Sequence, residues 1–180
     1  MIPKAAFLGG GKTPTAGEIT LAHHGILFLD EFMEFKTECI EALRQPLEDG
    51  TIDITRNGIY HKFPADFQLI ATMNPCPCGF YGSLDKECTC SPQAISKYMG
   101  KISGPLLDRI DIQIEVTPVK YQKLDSSEKI ESSIEIKKRV DLARKIQQKR
   151  YEKDAIYTNS QLSPKLIEQY CRLNNESKKI

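Results

Sequence analysis

The sequence has 180 residues, 25 Lys and Arg against 24 Asp and Glu, and 40% hydrophobic residues. Those values suit one sizeable globular domain, or a larger domain with a small one. No apolar run reaches the roughly 18 residues of a membrane span, and MIPKAAFLGGGK has no apolar core of a secretory signal, so no membrane association is expected and the cytoplasm is the expected compartment.

The small net charge hides an asymmetry. Residues 1–120 hold 11 basic and 15 acidic side chains, and residues 121–180 hold 14 and 9. A basic tail is most often a solvated helix surface, with nucleic-acid contact as the alternative.

In chain order, residues 1–25 are rich in Gly, Pro and Thr and read as irregular. GILFLDEF follows, with the apolar run Ile26 to Leu29 ahead of Asp30 and Glu31. Such a short, unalternating run predicts a strand buried on both faces, as in a parallel sheet. Cys39, Ile40, Leu43 and Leu47 recur at helical spacing from Lys36 to Glu48, with Pro46 placed to break or kink that helix. Thr51–Thr55 and Ile59–Phe63 then flank Arg56-Asn57-Gly58, a strong hairpin signal. Phe67 to Asn74 reads as a second buried strand and Asp111 to Val116 as a third. Beyond Val119 a helix is expected from Ser133 to Lys153, opened by a Ser132/Glu135 capping box, with Ile136, Val140, Ala143 and Ile146 as its apolar stripe. A last helix starts at Ser163-Pro164, with Leu166, Ile167, Tyr170 and Cys171 inward.

Three places carry chemistry. Asp30 and Glu31 end an apolar strand, the edge where open α/β sheets bind ligands. An aspartate there can hold Mg²⁺ through water, and a glutamate can orient or deprotonate an attacking water. The bland reading is an acidic loop capping the next helix. Asn74 ends the second strand and can hydrogen-bond a phosphate oxygen without repelling it; a turn-forming Asn before Pro75 is the alternative. Arg109, in GPLLDRID, can stabilise a transferred phosphoryl group, or pair structurally with Asp108 or Asp111.

Cys76, Cys78, Cys88 and Cys90, in CPC-x₉-CTC, offer four soft ligands sufficient for a tetrahedral zinc site. Free thiols and redox chemistry are the alternatives. His23 and His24 read as polar groups at a sheet edge rather than metal ligands.

GEITLAHHGILFLDEF, EALRQPLEDGTIDITRNG, FQLIATMNPCPCGFYG and SGPLLDRIDIQIEV, in that order, resemble the Mg-chelatase-like branch of the AAA+ ATPases. The likeness is closest to bacterial members tied to DNA processing during competence, rather than to the pigment-synthesis chelatase subunit. It implies an α/β fold: an AAA+ parallel-sheet nucleoside-triphosphatase core over residues 1–119, followed by the beginning of a helical lid over 120–180. It implies ATP and Mg²⁺ as cofactors, with Asp30 and Glu31 as the Walker B pair and Asn74 as the sensor-1 residue. Arg109 falls where the family places an arginine that acts on a neighbouring subunit's ATP. A homo-oligomeric ring, a hexamer, is implied, with DNA as partner. The Asn57-Gly58 hairpin resembles inserts that face the pore in related ring motors. A chelatase-type motor for metal insertion and a zinc-stabilised scaffold without turnover are the rival readings.

GGGKTPTAGE, Gly9 to Glu18, has the composition of a phosphate loop without its spacing. A loop of the form G-x-x-x-x-G-K-[ST] needs glycine at position 6, which is Ala6, and a helix where Pro14 stands. The expectation is therefore a fragment that lacks the Walker A region and the first strand of the family's 5-1-4-3-2 sheet, and that hydrolyses no ATP alone.

Overall fold

The glycine-rich start is more ordered than its composition predicts. In the computed structural model, which describes residues 2–83, 85–116 and 131–177, it carries α1 (Lys4–Leu8), β1 (Gly9–Gly10), β2 (Thr15–Ala16) and α2 (Glu18–Leu21). Burial explains the difference. Phe7 of α1 and Ile19 of α2 both lie in the core, and β1 pairs antiparallel with β2, Gly9 opposite Ala16.

β3 (Ile26–Leu29) is followed by a 3₁₀ turn over Phe32–Glu34, then α3 (Thr37–Glu41) and α4 (Arg44–Asp49). The helix expected from Lys36 to Glu48 is thus divided. Pro46 has no N–H to donate and its ring crowds the turn before it, so it sits in the first turn of a new helix, where both costs are small. Cys39, Ile40 and Leu43 are buried, as their spacing predicts.

β4 (Thr51–Arg56) and β5 (Ile59–Pro64) form the expected hairpin. Arg56 pairs with Ile59, so Asn57 and Gly58 make up the whole turn. Their φ angles, +52° and +76°, are those of a turn that matches strand twist and that Asn-Gly adopts with least strain.

β6 (Gln68–Ala71) runs parallel to β3, with Ile26 opposite Gln68 and Leu29 opposite Ala71. Only one face of this pair is covered. Leu27 and Leu29 are in the core and Leu69 packs against it, while Ile26 and Phe28 are each 58% exposed. Burial on both faces needs a layer on each side, and the second face has no cover among the described residues.

α5 (Pro92–Met99) and α6 (Gly104–Leu107) complete the first of two units, which divide between Val119 and Lys120. The strand expected at Asp111–Val116 does not form: among the described residues it has no ladder partner, and Ile112, Ile114 and Val116 are 76%, 78% and 86% exposed. Alternating residues favour a strand only when a neighbour takes up the backbone N–H and C=O groups; otherwise water does.

The second unit carries α7 (Ser133–Arg150) and α8 (Pro164–Tyr170). α7 ends three residues before the expected Lys153, and its stripe of Ile136, Val140, Ala143 and Ile146 is exposed rather than buried. The buried centre of this unit is Tyr151, whose ring meets that of Tyr170 edge-on at 5.3 Å. The Tyr151 hydroxyl donates to Asn159 Oδ1 at 2.8 Å and the Tyr170 hydroxyl to Asp154 Oδ2 at 2.5 Å. In α8 Leu166 and Tyr170 are half-buried, whereas Ile167 and Cys171 are exposed. No helix among the described residues is long and apolar enough to cross a membrane.

The capping box of α7 is formed: the Glu135 N–H donates to Ser132 Oγ at 3.3 Å, and the Ser132 N–H donates to Glu135 Oε2 at 2.8 Å. The Ser132 backbone N–H, then its hydroxyl, holds the Glu135 carboxyl below its ordinary value of 4.5. A carboxyl depressed in the folded state adds stability that is complete above the ordinary value and is lost as pH falls through the folded one. Amide exchange in the first turn of α7, measured relative to the unstructured-chain rate at each pH, should therefore quicken on acidification below about pH 4.5. Ser132→Ala should quicken it at neutral pH and flatten the pH response.

Candidate functional site

The carboxyl ends of β3 and β6 lie side by side because the strands are parallel and in register, Leu29 opposite Ala71. The ladder runs on past the strands: the Thr72 N–H donates to Leu29 O at 3.0 Å, and the Phe32 N–H donates to Thr72 O at 2.8 Å. Asp30 and Thr72 therefore emerge together. The Thr72 hydroxyl donates to Asp30 Oδ1 and accepts from the Glu31 N–H, the latter at 3.2 Å. Thr72 thus orients both members of the carboxylate pair, a role that residue type and spacing do not announce, since its partners stand more than 40 positions away.

Glu31 has φ +51°, the left-handed region that side-chain-bearing residues seldom occupy. The buried Phe32 and Met33 anchor the 3₁₀ turn that follows, and such over-determined strain is typical of functional turns. Asp30 and Glu31 are both exposed. With Glu18 and Glu34 they line a cavity of about 580 Å³ whose other walls are apolar, and no Lys or Arg lines it among the described residues. Four carboxylates would repel a triphosphate; a divalent cation with oxygen ligands would reverse that at Asp30.

Asn74 lies three residues beyond β6 and is exposed. Arg109 is not brought to this edge. Its guanidinium pairs with the Glu48 carboxylate and donates from Nη1 to Pro105 O at 2.5 Å, with the side chain 23% exposed. The partner is neither Asp108 nor Asp111, the neighbours considered from sequence. Lys12 and Thr13 lie in the turn between β1 and β2, and no helix opens there, so backbone N–H groups are not aimed as in a phosphate loop. His23 and His24 are polar groups beside β6: the Asp66 N–H donates to His23 Nδ1 at 3.1 Å, and the His24 N–H donates to Asp66 O at 2.7 Å.

The four clustered cysteines converge. Cys76 and Cys78 sulfurs are 3.4 Å apart, Cys76 and Cys88 3.7 Å, and Cys78 and Cys88 3.6 Å. With Cys90 all four sulfurs lie within 4.8 Å of one another. Four sulfurs set tetrahedrally about zinc at about 2.3 Å stand about 3.8 Å apart, so the set fits that ion. Gly79, at φ +81°, makes the reversal that returns the chain over Cys76, its N–H donating to Cys76 O at 3.0 Å. The Tyr81 N–H donates to Cys76 Sγ at 3.3 Å. The Phe80 N–H, ahead of other contributions, draws the Cys78 thiol down to about 6. At Cys88 the help of the Cys90 N–H is outweighed by burial and by Cys78 and Cys76, which push it up to about 12. Crowded thiols cannot all ionise without a cation among them, which is the electrostatic case for a metal.

The sequence matches the family described as Magnesium chelatase, subunit ChlI, over residues 1–124, and that described as Magnesium chelatase, subunit ChlI C-terminal, over residues 130–180. Competence protein ComM of Haemophilus influenzae is 44% identical over 172 residues, 95% of this chain and 33% of that protein. The uncharacterized protein YifB of Escherichia coli is 42% identical over 173 residues, with the same coverage of each. The Magnesium-chelatase 67 kDa subunit of Chlorobaculum parvum is 24% identical over 116 residues, 64% of this chain and 15% of that one. The chain spans about a third of the length of the first two relatives.

Thr72→Val keeps the shape of the side chain but deletes the hydroxyl that joins Asp30 to the Glu31 N–H. It should lower the unfolding free energy by about 1 kcal/mol in urea titrations, and Thr72→Ser should recover most of that loss.

Proposed function

Because the chain belongs to the magnesium chelatase family, we propose that it supplies the Walker B half of an ATP-hydrolysing AAA+ motor module. The observation that carries this reading is the Asp30–Glu31 pair, set by Thr72 at the carboxyl edge of two parallel strands. In this reading residues 1–119 are the C-terminal part of the AAA+ core and residues 120–180 begin its helical lid.

Each side chain has a task. Asp30, already oriented through Oδ1, holds the Mg²⁺ of bound ATP by way of water. Glu31 orients the attacking water and accepts its proton. Asn74 donates a neutral hydrogen bond to the terminal phosphate. Arg109, remote from its own carboxylate edge, reaches the nucleotide of the next subunit in a hexameric ring, once released from Glu48. Cys76, Cys78, Cys88 and Cys90 hold a structural zinc ion. The working compartment is the cytoplasm.

DNA is the proposed substrate of the motor. The higher identity to the competence protein than to the chelatase subunit supports this. So does the hairpin, whose exposed Tyr60 and Lys62 share one face and offer a stacking ring and a cation for a nucleic-acid strand.

A graft tests the reading. Residues 1–180 in place of the matching segment of the Haemophilus protein should give a Mg²⁺-dependent ATPase, stimulated by forked DNA. Glu31→Gln in the graft should cut turnover by about 10²-fold or more while nucleotide still binds. Residues 1–180 alone should show no turnover. A graft whose ATPase is indifferent to Glu31→Gln would refute the assignment, and one indifferent to DNA would favour a chelatase-type motor.

A further inference from the structure

The cysteine knuckle is tied to the carboxylate edge by two routes. The first is direct: Asn74 is separated from Cys76 by Pro75 alone, and Pro77 follows. Proline fixes φ near −65°, so the Asn74–Cys78 segment is a short, stiff lever rather than a tether. At its far end the knuckle turn folds back onto Asn74: a Cβ placed on Gly79 would lie 3.9 Å from Asn74 Oδ1 and 4.0 Å from its Cγ. Asn74 therefore sits between two anchors. On one side is Thr72, bonded to Leu29, Glu31 and Phe32; on the other is Cys76, fully buried within the sulfur cluster.

The second route runs through α5. Ser91 directly follows Cys90 and caps α5, its Oγ accepting from the Ala94 N–H at 3.2 Å. Near the other end of α5 Tyr98 is buried, and Lys101 donates from Nζ to Met33 O at 2.6 Å, in the turn that begins at Glu31. Burial raises the Tyr98 phenol, with the negative charges of Glu34 and Glu31 adding to it.

We propose that a metal ion held by Cys76, Cys78, Cys88 and Cys90 is what positions Asn74, so that metal loading sets whether the sensor side chain stands in place beside Asp30 and Glu31. The strand itself does not reach that far: β6 ends at Ala71, and the last ladder bonds are those of Thr72. Beyond Thr72 the chain is held by the knuckle, and without an ion its four free thiols have no covalent or coordinate bond that joins them. With the ion bound, four bonds close the loop between Cys76 and Cys90 and stiffen the lever against which Asn74 rests. This rests on the zinc reading above, and on Asn74 as a sensor for its bearing on hydrolysis.

The experiment uses the 180-residue chain, ¹⁵N-labelled, stripped of metal with a chelator under reducing conditions and then titrated with zinc. Elemental analysis should find one zinc per chain. The Asn74 side-chain amide pair should shift and sharpen as zinc is added, and exchange of the Met73 and Asn74 backbone amides should slow by about tenfold or more. The hairpin amides of Thr51–Phe63 should stay unchanged, reporting an intact fold with and without metal. Cys88→Ser should bind no tight zinc and should leave Asn74 as in the stripped chain. One zinc bound with Asn74 unmoved would overturn the positioning inference and leave the zinc site standing. No zinc bound would overturn both.

Discussion

Everything proposed for this chain depends on one pairing, the parallel ladder between Ile26–Leu29 and Gln68–Ala71. Parallel pairing sends both strand ends to the same edge, so the residues just past them must meet. Asp30 and Glu31 leave one strand, Thr72 and Asn74 the other. The Thr72 hydroxyl then works as a latch, donating to a carboxylate and accepting from a backbone N–H. A slip of one residue in this register would turn the side chains of β6 to the other face and take Thr72 away from Asp30. The core side chains Leu27 and Leu29 oppose such a slip, since it would cost them their packing partner Leu69.

The electrostatics of that edge are one-sided. Glu18, Asp30, Glu31 and Glu34 gather around a cavity without a lining Lys or Arg among the described residues. The nearest thiol cluster adds further negative charge when it ionises. If both ligand sets were occupied, the cations would differ in kind: a hard one, bound through oxygen and water, and a soft one, bound through sulfur. Their ligand sets do not compete, because carboxylate and thiolate prefer different metals. Arg109 is held apart by Glu48, so its guanidinium does not offset this charge, and the nearby Lys101 ammonium is engaged by Met33 O at 2.6 Å.

What was legible in the sequence was local. The Asn57-Gly58 hairpin, the Ser132/Glu135 box and the Ser163-Pro164 start each depend on residues within a few positions of one another, and each is present as read. The Asp30–Glu31 pair was legible because it ends an apolar run, and the cysteine convergence because four thiols crowd into 15 positions. Thr72 was not: its function comes from pairing two strands whose partners are 42 positions apart. Nor was the Arg109–Glu48 pair, separated by 61 positions. Among the described residues Asp111–Val116 has the pattern of a strand but no neighbour to pair with, and β3 has the composition of a two-sided strand with cover on one side only. In both, periodicity described what a segment is suited to, while its surroundings decided what it does.

The nesting of the hairpin inside the β3–β6 crossover has a consequence for how the chain reaches this state. Closing a loop of 42 residues between Ile26 and Gln68 costs entropy that grows with the logarithm of its length. The hairpin needs no such search, because its arms are joined by two residues. Once formed it draws Thr51 to Pro64 and removes that span from the loop still to be closed. Folding is therefore favoured to begin at the hairpin, and to bring the carboxylate edge together afterwards.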